Sequence, residues 1–218
     1  LVELKDSVEL VYVDFTPRIP QPYFAVPLTQ FQHVISPKSY PGHHLRWKYI
    51  PENLEKDRWW IFTDTQDVIF QHEIPDLDEF DADVLIQYEG MTHEQNGVWN
   101  LCIKDRWPQY SSLLEKPVYC CGVWAARGNV MYDYATKYIP TYDPNVWDQI
   151  PFNMWLYENG LTHKDCPELS AAMYSNYYTG KLAVSGNLKF TREYSWTDSE
   201  IVPAIIHGNG CSKDLLWA

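Results

Sequence analysis

Long hydrophobic runs are missing from this chain. Nothing in it approaches the roughly 18 uninterrupted apolar residues that a membrane-crossing helix needs, so no span is expected. Positive charge is scarce as well, with 17 Lys and Arg against 29 Asp and Glu and a formal net charge of −12. A surface this acidic lacks the field that gathers polyanions, which argues against nucleic acid as a partner. Cysteines at zinc-finger spacing are also lacking. Cys102, Cys120, Cys121, Cys166 and Cys211 fit no such pattern, and the adjacent pair is badly placed to bridge to itself. They read as buried or free thiols, with one distant disulfide open, so cysteine usage does not settle the compartment. Internal repeats, Gly/Ser linkers and charge blocks are absent too, which leaves a single domain over 1–218 as the expectation. Leu1 to Asp6 is not a signal peptide, and with no initiating Met the chain is expected to be trimmed at its N-terminus.

What the chain has in quantity is apolar and aromatic mass. Of its 218 residues, 45% are hydrophobic, and 10 are Trp and 16 Tyr. That is enough to bury a sizeable core, and such rings also stack on sugars and bases. Most of the tryptophans (Trp47, Trp59, Trp60, Trp99, Trp107, Trp155, Trp196) are expected inside. Short apolar runs predict strands over Val8 to Phe15, Trp59 to Thr63, Val84 to Gln87, Val118 to Ala126 and Ile201 to Ile206. Helices are expected over Tyr40 to Glu55, broken at Pro51, and over Asp148 to Asn159, stopped by Gly160. Strands alternating with helical crossovers predict an α/β fold on a mainly parallel central sheet, with ligands outside the carboxyl ends of the strands. Several strands run into residues capable of chemistry there: Asp64, Glu89, Gly122 and His207.

Two segments stand out. In Phe62-Thr63-Asp64-Thr65-Gln66-Asp67-Val68-Ile69-Phe70, two carboxylates just past a buried strand can converge on one hard divalent cation. Oxygen donors suit Mg²⁺ or Mn²⁺, and an added imidazole shifts the preference to Mn²⁺. An Asx-type turn with Asp64 as a cap is the plain alternative. In His207-Gly208-Asn209-Gly210-Cys211-Ser212-Lys213, a His can complete a metal site, glycine backbone can approach an anion, and Lys213 can neutralise a diphosphate. A glycine-rich turn is the alternative there. Glu89 reads equally as a sugar-facing acid or a solvated one. Asp148-Gln149, opening a helix, reads as a cap or as a sugar contact.

Together these segments resemble retaining, metal-dependent glycosyltransferases of the GT-A (Rossmann-like) fold. The His-x-x-Gly-x-x-Lys pattern is shared with glycogenin-like families. The glycosyltransferase domain of the collagen lysyl hydroxylases is more similar still, across Phe62 to Phe70, Tyr88-Glu89-Gly90, Cys121-Gly122, Asp148-Gln149 with Phe152, and His207 to Lys213. The chain departs from that family at Gln66, where the family has an aromatic, at Trp147, where it has an acidic run, and after Gly90, where its Trp is not matched.

The resemblance implies Mn²⁺ (or Mg²⁺) held by Asp64, Asp67 and His207. It implies a UDP-sugar contacted by Gln66, Gly122, Gln149, Gly208, Asn209, Gly210 and Lys213, with Asp148, Glu89 and Lys213 as catalytic groups. The expected activity is hexosyl transfer, with glucose or galactose the foremost donors, to a hydroxyl of a glycan or glycosylated protein, with retention. The secretory-pathway lumen is the compartment implied, and the cytoplasm stays open. Two rivals use the same residues. One is a non-catalytic sugar-binding or accessory protein on this fold. The other is a metal-dependent phosphohydrolase built on Asp64 and Asp67, whose two acids are separated by two residues here, against one in the haloacid-dehalogenase-like phosphatases.

Overall fold

The computed structural model describes residues 8–14, 31–35, 47, 54–64, 68–70, 73–143, 146–172, 180–184, 190–194 and 200–207. The expected helix over Tyr40 to Glu55 lies outside these, apart from Trp47, Leu54 and Glu55. Six strands form the central sheet: β1 (Val8–Asp14), β2 (Phe31–Ile35), β3 (Trp59–Thr63), β5 (Val84–Thr92), β6 (Pro117–Arg127) and β7 (His163–Asp165). Their spatial order is β2-β1-β3-β6-β5-β7. A second sheet places β12 (Ile205–His207) between β4 (Val68–Phe70) and β8 (Ser170–Ala172). A third joins β9 (Gly180–Val184), β10 (Phe190–Tyr194) and β11 (Glu200–Ile201). The helices are α1 (Gly97–Leu101), α2 (Gly128–Asp133) and α3 (Gln149–Glu158).

The architecture is α/β, but the central sheet is mixed. Strands β1–β2, β1–β3 and β5–β7 pair in parallel, while β6 runs against both β3 and β5. Five of the six strands run the same way, as expected of a mainly parallel sheet, and β6 is the exception. The reason is the connection: Thr92 ends β5 opposite Pro117, which begins β6, so the helical segment between them returns at the same end of the sheet. An antiparallel neighbour needs no crossover.

The predicted strands are present with shifted ends. β3 matches its apolar run, β1 stops at Asp14, and β5 continues past Gln87 through Gly90, whose φ of 82° suits a residue without a Cβ. The last expected strand is divided. Pro203 cannot donate to a ladder and separates β11 from β12, which join different sheets. Helix α3 starts at Gln149, and Gly160, at φ 65°, follows its end. Its buried residues are not confined to one face. Ile150 through Leu156 are all buried, and the one polar residue among them, Asn153, is satisfied by the Tyr119 backbone on both its amide oxygen and nitrogen.

Two cores flank the sheet. On one face Phe62, Val84, Ile86, Trp124 and Ala126 pack with Trp47 and with residues of α2 and α3. The Trp47, Phe62, Trp124, Tyr134, Phe152 and Trp155 rings meet there at centroid distances of 4.4–6.1 Å. On the other face Trp59, Ile61, Leu85, Val123 and Ala125 pack against Cys166, Leu169, Ala204 and Ile205 beside the small β4-β12-β8 sheet. The tryptophans expected inside are so at Trp47, Trp59, Trp60, Trp107 and Trp155, Trp99 is part-buried, and Trp196 lies outside the described residues. Cys102, Cys120 and Cys166 are buried free thiols, and Cys121 is buried as well. Among the described residues no helix is long and apolar enough to cross a membrane.

Gly128 joins the turn before β3 to α2. Its N–H donates to Arg58 O at 3.0 Å, and a Cβ there would lie 2.3 Å from Glu55 O, which already accepts from Trp60 Nε1. Backbone cannot yield as a flexible side chain would, so Gly128→Ala is expected to cost about 1–3 kcal/mol of stability, measured by urea unfolding.

Candidate active site at the Asp64–His207 convergence

The site is built around a break in strand pairing. Leu85 pairs with Ala125, yet Gln87 pairs with Cys120, so β6 uses more residues than β5 over the same stretch and bulges. Through the bulge β6 stays paired with β3, Thr63 opposite Val123. The next residue, Asp64, donates its backbone N–H to Gly122 O at 2.7 Å. Its carboxylate Oδ2 lies 3.2 Å from His207 Nε2 at the end of β12. A Cβ on Gly122 would sit 2.1 Å from His207 Cε1 and 2.9 Å from Asp64 Oδ2. Glycine at 122 is therefore a condition for the pair to meet. Gly122 and Glu89 are inside long strands, not at strand ends as expected, because the bulge and the extension of β5 carry both strands past them.

His207 is 2% exposed, and its Nδ1 lies 3.5 Å from Cys120 Sγ. Burial works against charge on the imidazole, but Cys120 and the Asp64 carboxylate outweigh it and hold its pKa well above the ordinary value. The adjacent cysteines have separate surroundings. Cys120 faces His207, while Cys121, on the other side of β6, donates from Sγ to Asp148 Oδ1 at 3.8 Å. Asp148 precedes α3 but makes no side-chain cap; its carboxylate is turned toward β6. Beside it, Gln149 Nε2 donates to Glu89 Oε1 at 2.8 Å. Glu89 is 3% exposed, and its burial pushes the carboxyl up to about 7 against the opposing pull of Gln149 and of the His207 charge.

Six of the expected site residues are thus described: Asp64, Glu89, Gly122, Asp148, Gln149 and His207. Asp64, Gly122 and His207 form one contact group, and Glu89 and Gln149 form another, within the electrostatic reach of His207. Gln66, Asp67, Gly208, Asn209, Gly210 and Lys213 lie outside the described residues, although Val68, next after Asp67, pairs in register with His207. Among the described residues no group of three or more His, Cys, Asp or Glu side chains is arranged to hold a metal ion. Asp64 and His207 are two converging donors of the kind Mn²⁺ takes, one carboxylate oxygen and one imidazole nitrogen. Sequence reasoning missed Cys120 as a neighbour of His207 and Gln87 as a buried polar residue opposite Cys120. Both positions depend on the bulge, which no local pattern announces.

The chain matches no protein-family model and no curated protein.

The Glu89 pKa has a consequence for stability. Its folded value of about 7 exceeds the ordinary 4.5, so the folded state holds the proton more tightly and stability falls as pH rises through that window. Below it, both states are protonated and nothing is lost. Glu89→Gln, which keeps the Gln149 hydrogen bond, is expected to match the native chain at pH 4 and exceed it at pH 8 by on the order of 3 kcal/mol, read from denaturant unfolding at the two pH values.

Proposed function

We propose that the protein is a metal-dependent glycosyltransferase of the GT-A fold, moving a hexose from a UDP-sugar to a hydroxyl of a glycan or glycosylated protein. The observation that carries this reading is the meeting of Asp64 and His207, distant in sequence, across a glycine that leaves room for nothing larger. An Asp–His pair serves many purposes. Here His207 lies within the electrostatic reach of buried Glu89, which accepts from part-buried Gln149, and next to a strand that begins one residue after Asp67. The resemblance of the Asp64 to Asp67 and His207 to Lys213 segments to this enzyme class supplies the rest.

In this reading Asp64 and His207, with Asp67, hold Mn²⁺ (Mg²⁺ as an alternative), which when bound offsets the charge developing on the leaving diphosphate. Lys213 and the Gly208 and Gly210 backbone neutralise the same charge from the protein side. Glu89 and Gln149 offer a carboxyl and an amide to sugar hydroxyls. With its pKa near neutrality, Glu89 exchanges a proton at working pH. Asp148, turned toward Cys121 rather than capping α3, keeps an acidic group beside that pair. The product is expected to retain the α-configuration of the donor, which the anomeric coupling in its proton NMR spectrum reads directly.

Calorimetry tests the metal assignment. UDP is expected to bind more tightly with Mn²⁺ than with EDTA, and Asp64→Asn or His207→Ala to abolish the difference. In turnover, loss of either ligand is expected to remove about 2–4 kcal/mol of transition-state stabilisation. Equal UDP affinity with metal and with chelator would overturn the reading.

A further inference from the structure

The layer between the central sheet and the β4-β12-β8 sheet carries polar groups that the proposed reaction does not use. Gln87 is 1% exposed, and neither its amide oxygen nor its amide nitrogen has a hydrogen-bond partner among the described residues. Ser170 is fully buried, and its hydroxyl likewise has none.

The two residues belong to the same layer. Along β5, Val84 and Ile86 enter the helix-covered core while Leu85 enters the opposite one. Tyr88 meets Tyr119, which packs on the helix side. Alternation therefore turns Gln87 to the side of Leu85, toward the small sheet. Ser170 pairs in parallel register with Ile205, which is in the Leu85 core, so its side chain shares that side. The backbone closes the distance. Cys166 N–H donates to Ile86 O at 2.9 Å, Tyr88 N–H donates to Asp165 Oδ1 at 2.8 Å, and Ser170 N–H donates to Cys166 O at 3.2 Å. The residues on both sides of Gln87 are thereby tied to the turn that leads into Ser170. Opposite Gln87 across the strand pair is Cys120, the thiol that touches His207.

A primary amide has two donors and an acceptor, and a hydroxyl has one donor and accepts through its lone pairs. Buried without partners, such groups are costly, and native interiors satisfy them with protein or with ordered water. We propose that the layer between β5 and β8 binds ordered water at a site formed by the Gln87 carboxamide and the Ser170 hydroxyl. The ligand must both donate and accept in a closed interior, and water does so at the least size. The site ties the small sheet that carries His207 to the strand that carries Glu89. It stands whether or not the protein transfers sugar.

The test uses the full 218-residue chain. With the Gln87 side-chain amide assigned in ¹⁵N-labelled native protein, a cross-relaxation experiment to water is expected to give a direct contact of long residence, and its absence would overturn the proposal. Gln87→Met and Ser170→Ala are each expected to raise the unfolded-to-folded ratio at least about fivefold, because each leaves the remaining partners of the water undersatisfied. The double variant is expected to fall short of the product of the two effects, since both act through one water. In a dry layer, Gln87→Met would lower the ratio by removing an unsatisfied amide, and the two effects would multiply; either result would overturn the proposal. Should Gln87→Met fail to fold, the water contact in the native chain and Ser170→Ala still decide.

Discussion

The bulge in β6 at Gly122 is the constraint from which the site follows. A strand paired on both sides keeps its residues at fixed heights, and β6 gives up its pairing to β5 there while keeping its pairing to β3. The slack brings the Gly122 carbonyl to the backbone of Asp64, and the missing side chain opens a space that His207 fills from the other sheet. Any residue with a Cβ would push that imidazole away, whatever its polarity. The site thus depends first on a steric vacancy and only then on charge.

The same bulge sorts the polar groups between the two faces of the sheet. Cys120 and Cys121, identical and adjacent, point to opposite layers, one against His207 and the other against Asp148. Glu89 is drawn out of water by its position deep in the extended β5, and burial raises its carboxyl where a solvated acid would stay ionised. The Asp64 carboxylate, just past β3, touches the imidazole, and Glu89 on β5 lies within its electrostatic reach. A cation is the natural complement of such a group, and this is the physical content of the functional proposal.

Much of the framework could be read from local pattern. Trp59-Trp60-Ile61-Phe62-Thr63 is a fully buried run and forms β3 as written, and α3 begins and ends within a residue of its expected bounds. The meeting of Asp64 with His207 was implied by the resemblance of their two segments, each of which follows or ends a short apolar strand. The direction of β6 could not be read from local pattern. It depends on whether the chain between β5 and β6 crosses the sheet or turns back at one end, and helical segments of similar length allow either.

Residue type and spacing by themselves therefore determined the α/β class and the interior placement of Trp47, Trp59, Trp60, Trp107 and Trp155, and they marked Asp64 and His207 as polar groups beyond or at the end of apolar strands. Tertiary structure alone decided that Gly122 lies between Asp64 and His207, that Cys120 and Gln87 face the small sheet, and that Glu89 is buried enough to titrate near 7. Periodicity along a strand reports which side a residue takes while pairing stays regular. A bulge resets that alternation through contacts with strands far away in sequence, and burial is a property of everything that packs around a group.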